Sequence, residues 1–364
     1  MWDSESFQSA DWTEDNIFTL QGICALRKSK KDKIFLAFLD LSKAFDRVWR
    51  EGLFGLLWKN GIQGKCWKLL RSLYSNVSNK VLFGDFESDW LDQEFGLKQR
   101  CVQYPILFSV LMNDLVNMLS EHNLGVNLAS DIINCLLFAD DIVLMGKLEQ
   151  ELQTLLNITA RFASKWNLKF NSKKSKVMVI GKKIDKLKWW DLGNDQIEET
   201  NVYKYLGVYF SRSLIFTYHI ETFINENVQK KLNYMTRILC EHGNFNRISF
   251  GASLWTSIIR PSFAHGCAVW FPSAISNAQN IENLQYQAGT IILKTKVSFS
   301  KSALLSVFGW EPINEFLDRQ RVNYFARFDE LPVHRLCKIA FLELKNSECV
   351  EWKYENYMKI FSSQ

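Results

Sequence analysis

The stretch Leu136-Leu137-Phe138-Ala139-Asp140-Asp141-Ile142-Val143-Leu144-Met145 decides how the rest of the chain is read. Two short apolar runs flank a pair of adjacent carboxylates. Leucine, phenylalanine, isoleucine and valine suit a buried strand, and the acids fall where a tight turn would expose them. The pattern predicts a β-hairpin with Asp140 and Asp141 at its tip, on the edge of a sheet. Both side chains are anionic at neutral pH, with ordinary pKa values of roughly 4. Neighbouring carboxylates repel unless a cation joins them, and hard, oxygen-preferring Mg²⁺ is the economical choice. An Asp-Asp pair is also plain turn chemistry. A third acid upstream favours the metal reading.

That acid is Asp40, in Ile34-Phe35-Leu36-Ala37-Phe38-Leu39-Asp40-Leu41-Ser42-Lys43-Ala44-Phe45-Asp46-Arg47-Val48. Six apolar residues, Ile34 to Leu39, end abruptly in a carboxylate. A run of that length reads as a fully buried strand, and an acid at its end sits where strand gives way to loop and a ligand can reach it.

The two phrases together resemble the reverse transcriptases of the non-LTR (LINE-type) retrotransposon family. That family shows an apolar strand, Asp-x-x-x-Ala-Phe-Asp-x-Val, and later Phe-Ala-Asp-Asp; here Asp40 and Asp140 stand 100 residues apart. The resemblance implies that Asp40 and Asp140, with Asp141 beside them, hold two Mg²⁺ or Mn²⁺ ions in a polymerase palm. Phe45 matches the position whose ring lies under the nucleotide sugar, and it reads equally as a core phenylalanine. Gly96-Leu97-Lys98-Gln99-Arg100-Cys101 leads through Tyr104-Pro105 into a long helix, and Pro105 suits that helix's first turn. By resemblance Gln99 contacts template or nucleotide. The family has glycine where Arg100 stands and serine where Tyr104 stands. Glycine is used where no side chain fits, so Arg100 re-aims this loop or obstructs the substrate.

Further on, Trp166-Asn167-Leu168-Lys169-Phe170-Asn171-Ser172-Lys173-Lys174-Ser175-Lys176 resembles the family's Asn-x-x-Lys-[Ser/Thr] segment, which places Lys173 and Lys176 near nucleotide phosphates. Tyr203-Lys204-Tyr205-Leu206-Gly207-Val208 resembles the primer-grip phrase, a tight hairpin in which Tyr205, Leu206 and Gly207 position the primer end.

Composition supports an enzyme core with more than one subdomain: 364 residues, 47% hydrophobic and 14% aromatic. The net charge of +5 is placed unevenly. Between Arg161 and Trp190 ten Lys/Arg face the single acid Asp185, a local charge of +9 that leaves the remainder net negative. With Trp166, Phe170, Trp189 and Trp190 interleaved, that run is either a phosphate-contacting surface or a solvated lysine-rich face. The eight cysteines form no Cys-x-x-Cys pair or zinc-spaced cluster and read as buried thiols of an intracellular protein, nuclear or cytoplasmic. The longest uncharged stretch, Pro261 to Ile281, is too polar to span a membrane.

Helices are expected over Asn16 to Lys28, with Ile17, Leu20 and Cys24 on one face, over Arg47 to Lys59, about Lys65 to Tyr74, and over Leu148 to Trp166. Strands are expected at Lys80 to Gly84 and Trp90 to Phe95, joined through Asp85 to Asp89, and at Val177 to Ile180. Pro261, Gly266 and Pro272 read as breaks in a helical C-terminal region. The expected fold is α+β: a palm-like antiparallel sheet backed by helices, then a mainly helical thumb and extension. Residues 1–33 form an N-terminal helix at a fingers–palm junction, 34–210 the palm, and 211–364 the thumb-like region. Only 39 residues precede Asp40, where the family has a long fingers region, so the expectation is a palm and thumb part of a longer protein. The expected function is RNA-directed DNA polymerisation, with RNA template, DNA primer and deoxynucleoside triphosphates as partners. The alternatives are a non-catalytic nucleic-acid-binding remnant, or an interaction protein whose acids never meet a metal.

Overall fold

The computed structural model describes residues 13–98, 103–181, 188–241, 246–270, 275–295 and 299–347. They form two units: residues 32–201, and residues 13–31 together with 202–347.

The first unit is built on a six-stranded sheet in the order Trp189–Leu192, Asp195–Glu199, Lys176–Ile180, Ile34–Asp40, Asp141–Gly146, Cys135–Phe138. Ile34–Asp40 lies in its interior, which accounts for an unbroken apolar run: Ile34 to Leu39 are all at most 7% exposed. Neighbours pair antiparallel, with one departure from the expected pattern. Lys176–Ile180 runs parallel to Asp195–Glu199, because the second strand of the hairpin Trp189–Leu192/Asp195–Glu199, not its first, takes the inner place.

Side chains alternate across the sheet. Phe35, Ala37 and Leu39 join Ile142, Leu144, Val177 and Val179 in one core with three helices, Arg50–Lys59, Gln103–Ser120 and Glu149–Lys165. The last of these buries Leu152, Leu155, Leu156, Ile158 and Phe162, the stripe that its period predicts. Arg50–Lys59 ends at Asn60-Gly61, where Gly61 takes φ +86. Between the helix Gly64–Leu73 and the helix starting at Gln103 the strands are shorter than expected. Leu82–Phe83 pairs with Phe86–Glu87 around Gly84-Asp85, so the turn is tighter than an Asp85–Asp89 loop. Gly84 at φ +59 permits it.

The second unit is mainly helical. Its first helix, Thr13–Ser29, is buried from Asp15 to Leu26, polar Asn16, Thr19 and Gln21 included, rather than along a single apolar face. Phe18 meets the rings of Tyr324, Phe325 and Phe328. Gly22 lies so close to the helix Leu336–Asn346 that an added Cβ would come within 3.2 Å of Leu344. The hairpin Val202–Tyr205/Val208–Ser211 follows, and then helices from Thr217–Phe223 to Leu336–Asn346. Pro261 does not break the helical path. It sits at the start of the helix Arg260–Ala264, directly after a π-helical turn, Trp255–Ile259, where a missing N–H is tolerated. Gly266, at φ +66, follows that helix's end, and Pro272 lies outside the described residues.

Six described cysteines are free thiols; Cys66 and Cys240 are exposed rather than buried. Among the described residues no helix is long and apolar enough to cross a membrane.

Candidate metal centre

The acidic hairpin forms as its apolar flanks require, with a shift of one residue. Strands Cys135–Phe138 and Asp141–Gly146 pair from Phe138↔Asp141, so the turn is Ala139-Asp140 and Asp141 already belongs to a strand. Ala139 adopts φ +52, a left-handed conformation that favours glycine and is tolerated here in a two-residue turn. On its other edge Asp141 is the register partner of Asp40. Directly opposed residues of an antiparallel pair share a face, with Cα atoms about 4.5–5.5 Å apart. Asp40 and Asp141 therefore share the sheet face opposite the helix-packed one, beside the turn that carries Asp140.

The end of the Ile34–Asp40 strand is clamped through its backbone. The Asp40 N–H donates to Ser175 Oγ at 3.1 Å, and the Asp40 carbonyl accepts from the Asn171 N–H at 2.8 Å. The Ser42 N–H donates to the Lys169 carbonyl at 2.7 Å. Ser175 is fully buried. The same loop swings Lys174 over the acids, with Nζ 3.7 Å from Asp40 Oδ1. Lys173 and Lys176 are the lysines expected near nucleotide phosphates, but the one that faces the acids is Lys174 between them. Lys173 is exposed in the turn, while Lys176 pairs with Glu198 at 2.9 Å on the neighbouring strand. The available signal was the Asn-x-x-Lys-Ser phrase itself, whose last two residues are Lys174 and Ser175.

Burial, then the charges of Asp140 and Asp40, push the Asp141 carboxyl up to about 6, against an opposing pull from Lys174. Asp140 is also raised, by burial and by Asp40, with its own backbone and Lys174 opposing. A carboxyl that holds its proton more tightly when folded destabilises the fold once charged, so its contribution improves as pH falls through about 6. In chelator, the wild-type chain is expected to lose on the order of 1 kcal/mol relative to Asp141→Asn between pH 5 and 7.5, a figure reduced for partial exposure. Urea unfolding at both pH values checks this; parallel pH profiles would remove the strained acid from the description.

Among the described residues no three or more His, Cys, Asp or Glu side chains stand as a ready-made metal cage. The donor chemistry nevertheless fits a divalent cation. Three carboxylates offer only hard oxygen donors, the charge of Asp40 helps raise the proton affinity of Asp140 and Asp141, and Lys174 lies as a counter-cation beside Asp40.

Phe45 follows this strand in the short helical turn Ala44–Asp46, half-buried, with its ring 4.2 Å from Tyr104 and 4.5 Å from Phe108. Asp46 lies in the same turn, its N–H donating to the Lys43 carbonyl at 3.0 Å. Gln99 and Arg100 lie outside the described residues. In the second unit Tyr205 is buried, and Leu206 and Gly207 form the hairpin turn at φ +45 and +88.

Residues 4–210, more than half of the chain, match the family described as reverse transcriptase (RNA-dependent DNA polymerase). The chain is 26% identical over 264 residues to the RNA-directed DNA polymerase from mobile element jockey of Drosophila funebris, covering 70% of this chain and 28% of that protein. It is 29% identical over 229 residues to the Pol polyprotein from the type-2 retrotransposable element R2DM of Drosophila melanogaster, covering 58% and 21%. It thus spans less than a third of the length of these relatives. Among solved structures, telomerase from Candida tropicalis is similar at 10% identity and a TM-score of 0.42, over 94% of this chain and 51% of that one. The chain belongs to the reverse transcriptase (RNA-dependent DNA polymerase) family, among relatives encoded by non-LTR retrotransposons.

Proposed function

We propose that this chain carries the nucleotidyl-transfer centre of a retrotransposon reverse transcriptase, extending a DNA primer on an RNA template. The register pairing of Asp40 with Asp141, one residue from Asp140, carries this reading. Asp40, Asp140 and Asp141 would hold two Mg²⁺ or Mn²⁺ ions, whose chemistry is to activate a primer 3′-hydroxyl and to neutralise the leaving pyrophosphate. The chain's own residues do the positioning. The backbone clamp from Asn171 and Ser175 fixes the strand end that presents Asp40. Lys174, whose Nζ lies 3.7 Å from Asp40 Oδ1, would turn to a triphosphate once the acids are neutralised, a charge-assisted contact of the kind phosphates favour. Phe45, braced by Tyr104 and Phe108, supports the sugar. Gln99 contacts template or nucleotide.

The test is primer extension on an RNA template with a DNA primer, deoxynucleoside triphosphates and Mg²⁺ or Mn²⁺. Extension by the wild-type chain and its loss in Asp140→Ala support the reading. A folded wild-type chain that extends nothing with either metal, while binding primer-template, reduces it to nucleic-acid binding alone.

Binding should depend on salt, and the lysines should contribute unequally. Replacing Lys173 and Lys174 together by alanine is expected to lower the slope of log affinity against log salt by about 1.5, from two lost phosphate contacts. Lys176→Ala should change it less, because Glu198 already balances that charge. Equal effects from all three, or none, would make this run a solvated face.

A further inference from the structure

The turn Tyr205-Leu206-Gly207 is built in a demanding conformation. Two successive left-handed residues form the two-residue hairpin turn, a geometry that favours Asn-Gly, yet the first position is leucine at φ +45. A non-glycine residue held there is strained and persists only where its surroundings over-determine it. Here the surroundings are a second turn, following the helix Arg260–Ala264 in the same unit. His265 Nε2 donates to the Leu206 carbonyl at 2.8 Å. It lies so close beneath the hairpin that a Cβ on Gly207 would stand 2.7 Å from that nitrogen. The fit is reciprocal: a Cβ on Gly266 would stand 2.7 Å from Val208 Cγ2.

The supporting turn is itself tied on three sides. The Gly266 N–H donates to Glu14 Oε1 at 3.1 Å, Trp270 Nε1 donates to the His265 carbonyl at 2.8 Å, and Arg321 Nε donates to the Cys267 carbonyl at 2.8 Å. On the second strand of the hairpin the Tyr209 N–H donates to Nδ1 of buried His219 at 3.2 Å. Burial first, then the charges of His265 and Lys204, hold His219 down to about 4, so it stays neutral and able to accept. His265 differs from His219 in being exposed. Core packing does not require an imidazole there; a donor under the Leu206 carbonyl does.

We propose that His265 is a positioning residue for the primer-contacting turn, holding the Leu206 carbonyl so that Tyr205-Leu206-Gly207 meets a primer terminus in a single conformation. This rests on the proposed function through the role given to that turn.

The test uses the full chain with His265→Gln, which keeps an amide donor near the Nε2 position, and His265→Leu, which keeps bulk and removes the donor. Amide hydrogen exchange over Tyr205–Val208 is expected to speed up about fivefold in His265→Leu and to stay near wild type in His265→Gln. The dissociation constant for an RNA–DNA primer-template, measured without nucleotides, should rise by a similar factor in His265→Leu alone. Where extension is measured, KM for primer should rise with kcat nearly unchanged. Unchanged exchange in His265→Leu overturns the positioning role and leaves the proposed function standing. Faster exchange with unchanged primer affinity overturns the link to primer. A wild-type chain that binds no primer-template overturns the proposed function and this role with it.

Discussion

Asp40→Asn is expected to lower primer extension about a thousand-fold while leaving the metal-free chain as stable as the parent or more so. Divalent-ion stabilisation in a two-metal centre is worth several kcal/mol of barrier, and about 4 kcal/mol corresponds to three powers of ten in rate. Stability should survive because the bonds that hold this residue in the fold are made by its backbone: its N–H to Ser175 and its carbonyl from Asn171. What the substitution removes is a charge that raises the proton affinity of both Asp140 and Asp141. A functional carboxylate that destabilises its own fold is a pattern expected of catalytic sites. Extension assays paired with thermal unfolding in chelator check both halves. Extension within tenfold of wild type, or a Tm lower by more than about 3 °C, would show that Asp40 serves the fold rather than the chemistry.

The largest stability effect is expected far from the acids, at Asp15 on the first helix. Its carboxylate is 3% exposed, accepts from Tyr324 Oη at 3.0 Å, pairs with Arg327, and lies 3.6 Å from Arg335 Nη2. Removing one partner of a buried ion cluster leaves uncompensated charge and costs about 3–5 kcal/mol. Asp15→Ala should therefore lower the Tm of this unit by about 10 °C. Combining it with Arg327→Met and Arg335→Met should recover part of the loss, because fewer charges then remain in the interior. A single variant melting within about 2 °C of wild type would mean that the cluster carries little.

What was legible in the sequence was whatever a short pattern encodes. Six apolar residues ending in Asp40, and two apolar runs around Asp140-Asp141, were enough to expect a buried strand, a hairpin and acids at their ends, because strand burial and turn exposure are local properties. The register that sets Asp141 rather than Asp140 opposite Asp40 was not legible, since it depends on which two residues make the turn. Lys174 was hidden inside a run of lysines; only the path of the loop decides which one turns toward Asp40. The parallel pairing of Lys176–Ile180 with Asp195–Glu199 was lost for the same kind of reason, a long-range choice between the two strands of one hairpin. Nothing local marks Asp15, because its partners Arg327 and Arg335 lie some 300 residues away, beyond any short pattern. Pro261 read as a break because a proline normally ends a helix, and a preceding π-helical turn removes that constraint.

Mn²⁺ titration of the full chain, with bound ion counted by electron paramagnetic resonance in wild type, Asp40→Asn and Asp140→Asn, bears most directly on the metal centre. Saturable binding is expected in the wild type. It should weaken at least about tenfold in each variant, for the loss of one hard anionic donor, and also as the pH falls through about 6, where Asp141 takes up its proton. Mn²⁺ binding equal in all three proteins and indifferent to pH would contradict a catalytic metal site at these carboxylates.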